Sequence, residues 1–441
     1  RLFVDENAVG RFKRAMGTSR TYEVRGKTYT PTQLSAFVLK KLIQDTKEAI
    51  GPIADVIVSI PANFANEARD ATLAAAKEAG FDIKYIVNEP TAAALYYAYK
   101  GGTELSGTYA VYDLGGGTFD ISIIRVQGQD VEVLAASGIA QCGGDDFDRA
   151  LHQVIKNKYK KVTGEDLNEE DFSVNDAEEE KISLSRRDKV VARVARQNIE
   201  ITRNEFEESI ASLISQARLL TEATVDEVDI AVEDLSDVFL VGGSTRIPAV
   251  LKSVRNVFGK EPISSANVDE VVALGAAIYA AYKGDRTKLN EVQRKTIEKI
   301  KVSESTAMCF GVIAADQERG ELYNSVMIKK NEKIPCSRTE SFYTIHEGQD
   351  SVDIEISESR SPERDPTFVK IIQKGELGPL PSGRPSGQEI KITYSFDDNQ
   401  IMHCKFVDVA SGREEVFALS PTQGLKGSTP QDSQIDKFTV E

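Results

Sequence analysis

Hydrophobic and polar positions along the first two-thirds of the chain follow two alternating periods. Thr30-Pro31-Thr32-Gln33 has the form of a helix start, with an N-cap threonine, proline at the first position and glutamine at the third. Leu34, Phe37, Val38 and Leu42 recur at helical spacing until Gly51-Pro52 ends the run. Residues 55–60 predict a buried strand closed by Pro61, and 65–79 an alanine-rich helix with Gly80 as its cap. A short strand over 83–87 precedes a helix opened by Pro90. Strands over 109–113, 118–126 and 131–137 are joined by glycine-rich turns. A strand over 238–241 and helices over 247–258 and 271–281 complete the pattern. Strands interleaved with helices of this length predict an α/β domain whose sheets are covered by helices.

The pattern changes after Lys283. Residues 285–304 are polar and charged and predict a connector, while 306–419 alternates short strands with turns, as an antiparallel β-domain does. The last twenty residues are polar. Nine acidic and no basic residues in 165–180 predict a solvated loop and helix face rather than a cation site.

Composition narrows the functional classes. The net charge of −15 in 441 residues argues against sequence-independent binding to nucleic acid or to anionic membrane surfaces. No apolar run approaches the roughly 18–20 residues needed to cross a bilayer, and residues 1–10 carry no signal-peptide core. Cys142, Cys309, Cys336 and Cys404 stand far apart without a Cys-x-x-Cys pair, so a disulfide framework or zinc site is not expected. The expectation is a cytoplasmic protein with reduced thiols.

The sharpest chemical signal is Asp113-Leu114-Gly115-Gly116-Gly117-Thr118-Phe119-Asp120. Three glycines between two strands let the backbone turn tightly and bring N–H groups to phosphate oxygens. Thr118 adds a hydroxyl, and Asp113 and Asp120 are candidate holders of Mg²⁺ or its waters. Gly143-Gly144-Asp145 and Gly242-Gly243-Ser244-Thr245-Arg246 each present a helix N-terminus to an anion. Together the three turns point to one nucleotide between two lobes. Gly26-Lys27-Thr28 is not a P-loop, because Thr21 stands where that motif needs glycine. Taken alone, Glu89 before Pro90 reads as a helix-start carboxylate and Lys13 as a surface lysine.

These motifs, in this order, resemble the seventy-kilodalton heat-shock chaperones, the DnaK-like family. Phe12-Lys13-Arg14, Ile60-Pro61-Ala62-Asn63-Phe64, Asn88-Glu89-Pro90-Thr91-Ala92-Ala93-Ala94, Gly143-Gly144-Asp145-Asp146-Phe147-Asp148, Val241-Gly242-Gly243-Ser244-Thr245-Arg246-Ile247-Pro248 and Gly275-Ala276-Ala277 join the glycine-rich turn in carrying the match. The resemblance implies an α/β actin-like ATPase domain over 1–284, a linker over 285–304, an antiparallel β-sandwich that holds extended peptides over 305–421, and a polar tail over 422–441. It implies ATP or ADP with Mg²⁺ as cofactors, and J-domain co-chaperones and nucleotide-exchange factors as partners.

Residue by residue, the resemblance implies that Lys13 touches the γ-phosphate, that Glu89 positions the attacking water, and that Thr118 joins them in catalysis. Asp113 and Asp120 lie at the metal; Gly115, Gly116, Gly117 and Thr118 cradle phosphates; Gly143, Gly144 and Asp145 lie near the nucleoside. Glu178, Lys181 and Ser185 match the helix that reaches adenosine, Gly242, Gly243, Ser244 and Arg246 the adenine-side turn, and Asp269 the ribose-side acid. Pro61 and Arg69 match residues that relay nucleotide state. Phe342, Ile345, Val352 and Ile354 fall where the family lines its peptide pocket, and read from the residues alone they are equally ordinary sandwich core.

Four departures qualify the expectation. The family's opening Asp-Leu-Gly-Thr phosphate loop does not occur in these 441 residues, so the actin-like domain is expected to be incomplete at its N-terminus and hydrolysis impaired. No helical lid follows the β-domain. The apolar family linker is replaced by Ile300-Lys301-Val302-Ser303-Glu304, whose docking would desolvate charge and so weaken communication between domains. Tyr85 stands where the family has an arginine implicated in J-domain contact. A non-hydrolysing chaperone-like module that holds peptide or partner is the alternative; another actin-like ATPase, such as a sugar kinase or filament protein, is disfavoured by the β-domain.

Overall fold

The computed structural model describes residues 8–419, except 54, 55, 82, 84, 101–104, 129, 265, 266, 286, 288, 292, 293, 295, 296, 299, 300, 317–320, 398 and 399. A 3₁₀ turn, Phe12–Ala15, and a small hairpin, β1 (Tyr22–Val24) and β2 (Lys27–Tyr29), precede α1 (Pro31–Ile50). Thr30 caps α1 as expected, its hydroxyl accepting from Gln33 N–H while the Gln33 side chain accepts from Thr30 N–H. The apolar face is narrower than the spacing predicts: Leu34 and Ala36 are buried, whereas Val38 and Leu42 are 47% and 57% exposed.

Strands β3 (Val58–Ile60) and β4 (Ile86–Asn88) pair in parallel, connected by α2 (Asn66–Glu78), and α3 (Glu89–Lys100) follows directly. Both strands are shorter than the apolar runs suggest, and residues 55 and 84 of those runs lie outside the described set. Three long antiparallel strands come next: β5 (Ser106–Leu114), β6 (Phe119–Gln127) and β7 (Asp130–Ile139). Beyond them lie α4 (Gly144–Thr163), α5 (Val174–Leu184), the hairpin β8 (Lys189–Val194) and β9 (Gln197–Thr202), and α6 (Arg203–Asp226). The apolar pattern assigns no element to the stretch holding β8, β9 and α6. Then come β10 (Asp237–Val241), α7 (Pro248–Phe258), β11 (Ile263–Ser264), α8 (Val271–Lys283) and β12 (Lys301–Ser303).

The central sheet has the order β11-β10-β5-β6-β7-β12, with β10 parallel to β5 and β12 parallel to β7. Its inner strands β5 and β6 are buried along most of their length, whereas edge strand β11 is exposed. One core joins Phe119, Ile121 and Leu240 to Phe147, Phe206 and Val250 on α4, α6 and α7. The opposite core sets Val111, Ile124 and Phe239 against α3 and α8. These helices meet at Gly275, where an added Cβ would stand 1.7 Å from the Ala92 carbonyl oxygen.

The remaining strands form two four-stranded sheets: β13 (Cys309–Ala315), β14 (Leu322–Ile328), β16 (Val352–Ser359) and β17 (Lys370–Leu377) in the order β14-β13-β16-β17, and β15 (Cys336–Tyr343), β18 (Glu389–Phe396), β19 (Met402–Asp408) and β20 (Glu414–Leu419) in the order β15-β18-β19-β20. All pairings within them are antiparallel. A shared core of Phe310, Ile354, Ile356, Tyr394 and Phe406 fills the space between the sheets, and the Tyr394 hydroxyl donates across it to Gly311 O at 2.9 Å. The polar tail lies outside the described residues.

The connector corrects the expectation of a plain polar linker. Residues 301–303 add β12 to the edge of the central sheet: Lys301 stays 80% exposed beside Asp130, and Val302 packs on the α3/α8 core. Glu304 is buried, but its carboxylate accepts from Asn88 Nδ2 at 2.6 Å, Asn88 N at 3.4 Å and Thr91 Oγ1 at 3.1 Å. These hydrogen bonds favour the ionised oxygens and reduce the cost of burial, which is still the larger effect and leaves the Glu304 pKa raised.

Beyond the connector, the C-terminal sheets contact α2 and α6. Lys330 pairs with Glu227 at 3.0 Å, and Arg69 Nη2 donates to Gln400 O at 3.3 Å. Ala65 offers no side-chain cap to α2, and Glu358 of β16 takes that place, accepting from Asn66 N at 3.2 Å. Lys370 pairs with Glu67 beside it. Burial and, next, the charge of Glu67 push the Glu358 carboxyl up to about 7, while the Asn66 N–H and Lys370 pull it down. Were the sheets to separate from α2, Glu358 would lose the Glu67 charge and part of its burial and move back toward 4.5. Contact therefore takes up a proton: its contribution is complete below the ordinary value and is lost as pH rises through about 7. Small-angle scattering from pH 5 to 8 should give a radius of gyration that grows across this window, with the growth reduced in Glu358→Gln.

Candidate functional site

Three glycine turns, each at the end of a strand of the central sheet, lock together over the C-terminal ends of β5 and β10. Gly144 N donates to Gly115 O at 3.0 Å, Asp145 N to Gly116 O at 2.7 Å, and the Ser244 hydroxyl to Gly115 O at 2.9 Å. The approach leaves no room for side chains. A Cβ on Gly143 would lie 2.7 Å from Gly116 O, and one on Gly242, which sits at φ 85°, would lie 2.5 Å from Leu114 O. Gly115 has open space where its Cβ would be, and Gly116 has only Asp145 Oδ1 at 3.9 Å. The turn therefore offers bare backbone to the space in front of it.

That space is a cavity of ≈ 440 Å³ lined by Lys13, Glu89, Asp113, residues 115–118, Asp145, Gly242, Gly243 and Asp269. A second cavity of ≈ 380 Å³ is lined by Gly144, Asp145, Asp148, Glu178, Lys181, Ser185, Ser244 and Arg246. Gly116, Asp145, Gly243 and Asp269 border both. The nucleotide candidates therefore converge except Gly143, which packs behind Gly116.

Lys13, on the 3₁₀ turn, reaches Glu89 at the start of α3, with Nζ 2.9 Å from Oε1. The Glu89 charge raises the Lys13 pKa, with burial opposing it. Asp113, next to last in β5, and Asp120, second in β6, are a register pair, so both carboxyls lie on the same face of the sheet. Burial, with the Glu89 charge next, holds Asp113 well above the usual carboxylate range and pushes Asp120 to about 7. Asp120 Oδ1 is buried without a hydrogen-bond partner. Three crowded carboxyls and an orphaned oxygen are the electrostatic signature of a site that fits a cation. Among the described residues no three His, Cys, Asp or Glu side chains form a closed metal cage. This donor set suits Mg²⁺, which usually keeps waters and phosphate oxygens as ligands.

In the second cavity Lys181 is only 7% exposed and pairs with Asp148 at 2.7 Å, also donating to Gly144 O. Arg246 and Asp269 pair at 3.1 Å across the rim. Several lining residues were given no site role from the sequence, among them Ile182, Asp148, Arg11 and Arg14. Ile182, 51% exposed, gives the second cavity an apolar wall, and Asp148 anchors Lys181. Arg11 and Arg14 flank Lys13 and hold the start of α4, Arg11 pairing with Asp145 at 2.9 Å and Arg14 with Asp146 at 2.7 Å. Their position on either side of Lys13 was the available signal.

Pro61 and Arg69 lie outside both cavities, at opposite ends of the turn entering α2. Asn63 in that turn reaches back to Gly138, where an added Cβ would meet its Nδ2 at 1.9 Å and Asp120 Oδ1 at 2.6 Å. The same turn thus touches the carboxylate cluster and, through Asn66, Glu358. In the C-terminal sheets, Ile354 is buried in the core, Phe342 and Val352 pack at its margin, and Ile345 is 41% exposed. Tyr85 packs with Tyr279 and Tyr282 around the Lys283 ammonium, 5.4–5.8 Å from the ring centres.

A cleft floored by interlocked backbone turns, with a lysine–carboxylate pair at one end, is joined to a pair of four-stranded antiparallel sheets. The model of the Hsp70 protein family matches residues 11–439. The chaperone protein DnaK of Thermotoga neapolitana is 34% identical over 433 residues, covering 94% of this chain and 70% of that protein. That of Thermosipho africanus is 33% identical over 434 residues with the same coverage. The chain belongs to the Hsp70 family and is a DnaK-like molecular chaperone. Among the described residues no helix is long and apolar enough to cross a membrane.

Because ionised Asp120 is disfavoured here, its contribution to stability is complete below the ordinary 3.8 and is lost as pH rises through about 7. At pH 8 Asp120→Asn should stabilise the protein, by on the order of 1–3 kcal/mol. Urea unfolding at pH 5 and pH 8 measures this, and the gain should shrink at pH 5.

Proposed function

We propose that this chain binds ATP and ADP with Mg²⁺ in the joined cavities and couples ATP hydrolysis to the holding of extended polypeptide. One observation carries the reading: three glycine turns meet at one cavity lined also by Lys13, Glu89 and Asp113, with Asp120, the register partner of Asp113, outside its lining. The backbone of residues 116–118 lines the phosphate side, the Gly115 N–H being held by Thr118 O, and the N-terminus of α4 adds its dipole. Bound Mg²⁺ would neutralise charge on the phosphates, with Asp113 and Asp120 holding it or its waters. Lys13 contacts the γ-phosphate, and Glu89 accepts a hydrogen bond from the attacking water and orients it. Thr118 adds its hydroxyl at the phosphates. Glu178, Lys181, Ser185, Ser244 and Arg246 border the nucleoside, with Asp269 at the ribose.

The domain reading is 1–284 for nucleotide, 285–304 as linker and 305–421 for peptide, with 422–441 as tail. Phe342, Ile345 and Val352 line the peptide site, and Ile354 supports it from the core. Glu304, just after β12, and the Pro61–Arg69 segment connect the two sites: Glu304 binds Asn88 through its carboxylate and Ile334 N through its carbonyl, and Arg69 donates to Gln400 O. The partners are unfolded segments, J-domain co-chaperones and exchange factors, in the cytoplasm.

Single-turnover hydrolysis tests this reading. Glu89→Gln and Lys13→Ala should each slow the step by roughly 10²–10³-fold, the scale of one lost transition-state contact. ATP should accelerate release of a labelled leucine-centred peptide in the wild type, and Val352→Phe should weaken that peptide. A chain that binds ATP tightly without turnover would instead be a holding module.

A further inference from the structure

We propose that Arg11 is a phosphate-binding residue that sets the preference of this site for a triphosphate over a diphosphate. The inference rests on the nucleotide reading above. Three cations surround the glycine turn; Arg14 is committed to the protein, and Lys13 is already assigned to the γ-phosphate. Arg14 donates to Asp146 at 2.7 Å and to Gly116 O at 3.3 Å, and it backs Gly117. Lys13 is held by Glu89. Arg11 differs. Among the described residues it makes one ion pair, Nε to Asp145 Oδ1 at 2.9 Å, and no hydrogen bond. Its side chain is 30% exposed and lines the phosphate-side cavity.

Asp145 Oδ1 lies beside Gly116, so the guanidinium hangs over the middle of the turn that would cradle phosphates. Its planar donors suit two phosphate oxygens at once. Asp145 can release it at low cost, since that carboxylate stands in the first turn of α4 and keeps Arg14 Nε at 3.7 Å. The backbone reinforces the placement: Arg11 sits at φ 63°, ψ 14°, a left-handed conformation unfavourable for a side-chain-bearing residue. That conformation starts the 3₁₀ turn and sends Arg11 and Lys13 into the same cavity. A polyphosphate entering it exchanges the Asp145 ion pair for contacts with its own anionic oxygens, and each added phosphate strengthens the exchange.

Calorimetry with the β,γ-imido analogue of ATP, ADP and adenosine, all with Mg²⁺, tests this on the wild type, Arg11→Gln, Arg11→Gly and Arg11→Lys. The glycine variant suits φ 63° and removes the cation without straining the backbone. Arg11→Gln and Arg11→Gly should weaken the triphosphate about tenfold or more, ADP less than about threefold and adenosine not at all, with Arg11→Lys between. A two-nucleotide preference unchanged in both cation-removing variants would overturn the inference while leaving the nucleotide reading intact. Absence of nucleotide binding in the wild type would overturn both.

Discussion

The architecture depends on the contact of bare backbone with bare backbone where β5, β10 and the start of α4 meet. Gly115 and Gly116 carbonyls accept from Gly144 N, Asp145 N and Ser244, and any Cβ at Gly143 or Gly242 would enter that contact. A hydrogen-bonded floor made from three distant segments fixes the two lobes relative to one another. It also leaves the backbone of residues 115–118 lining the cavity, with the Gly115 N–H closing the turn on Thr118 O. The fold needs glycine there for packing, and the same absence of side chains makes room for phosphates.

Charge around that floor is distributed unevenly. Asp113, Asp120 and Glu89 crowd one end, where burial and mutual repulsion disfavour full ionisation. Arg11, Lys13 and Arg14 arrive on a single short turn and supply the opposing charge. The carboxyl cluster extends through Asn63 to the turn before α2, and that turn ends at the helix start which Glu358 caps from the other sheets. Buried Glu304 makes a second bridge at Asn88, adjacent to Glu89. Nucleotide-side charge and sheet contact therefore share structural elements a few residues apart.

Much of this was legible in the sequence, and the exceptions have physical causes. Glycine turns between apolar strands announce themselves because strand burial and turn chemistry are local. Lys13 and Glu89 became meaningful only through the family resemblance, since their partnership spans 76 residues of chain. Arg11 carries no local mark: its left-handed backbone and its pairing with Asp145 arise only on folding. The connector was misread for a related reason. Lys301-Val302-Ser303 is too short to show strand periodicity, and Glu304 looks costly to bury until Asn88 and Thr91 are in place. The face of α1 was overestimated because helical spacing states which residues align, not what lies opposite them. The unassigned α6 carried a usable signal in Thr202 and Glu205, which form a capping box.

The central claim is that three separated turns form one nucleotide site. Amide hydrogen exchange with and without Mg²⁺–ATP tests it most directly, followed at residues 115–118, 143–145 and 242–244. The account predicts that all three segments slow together at one ATP concentration, with residues 115–118 protected most. Protection of a single turn, or protection at different concentrations for different turns, would contradict it.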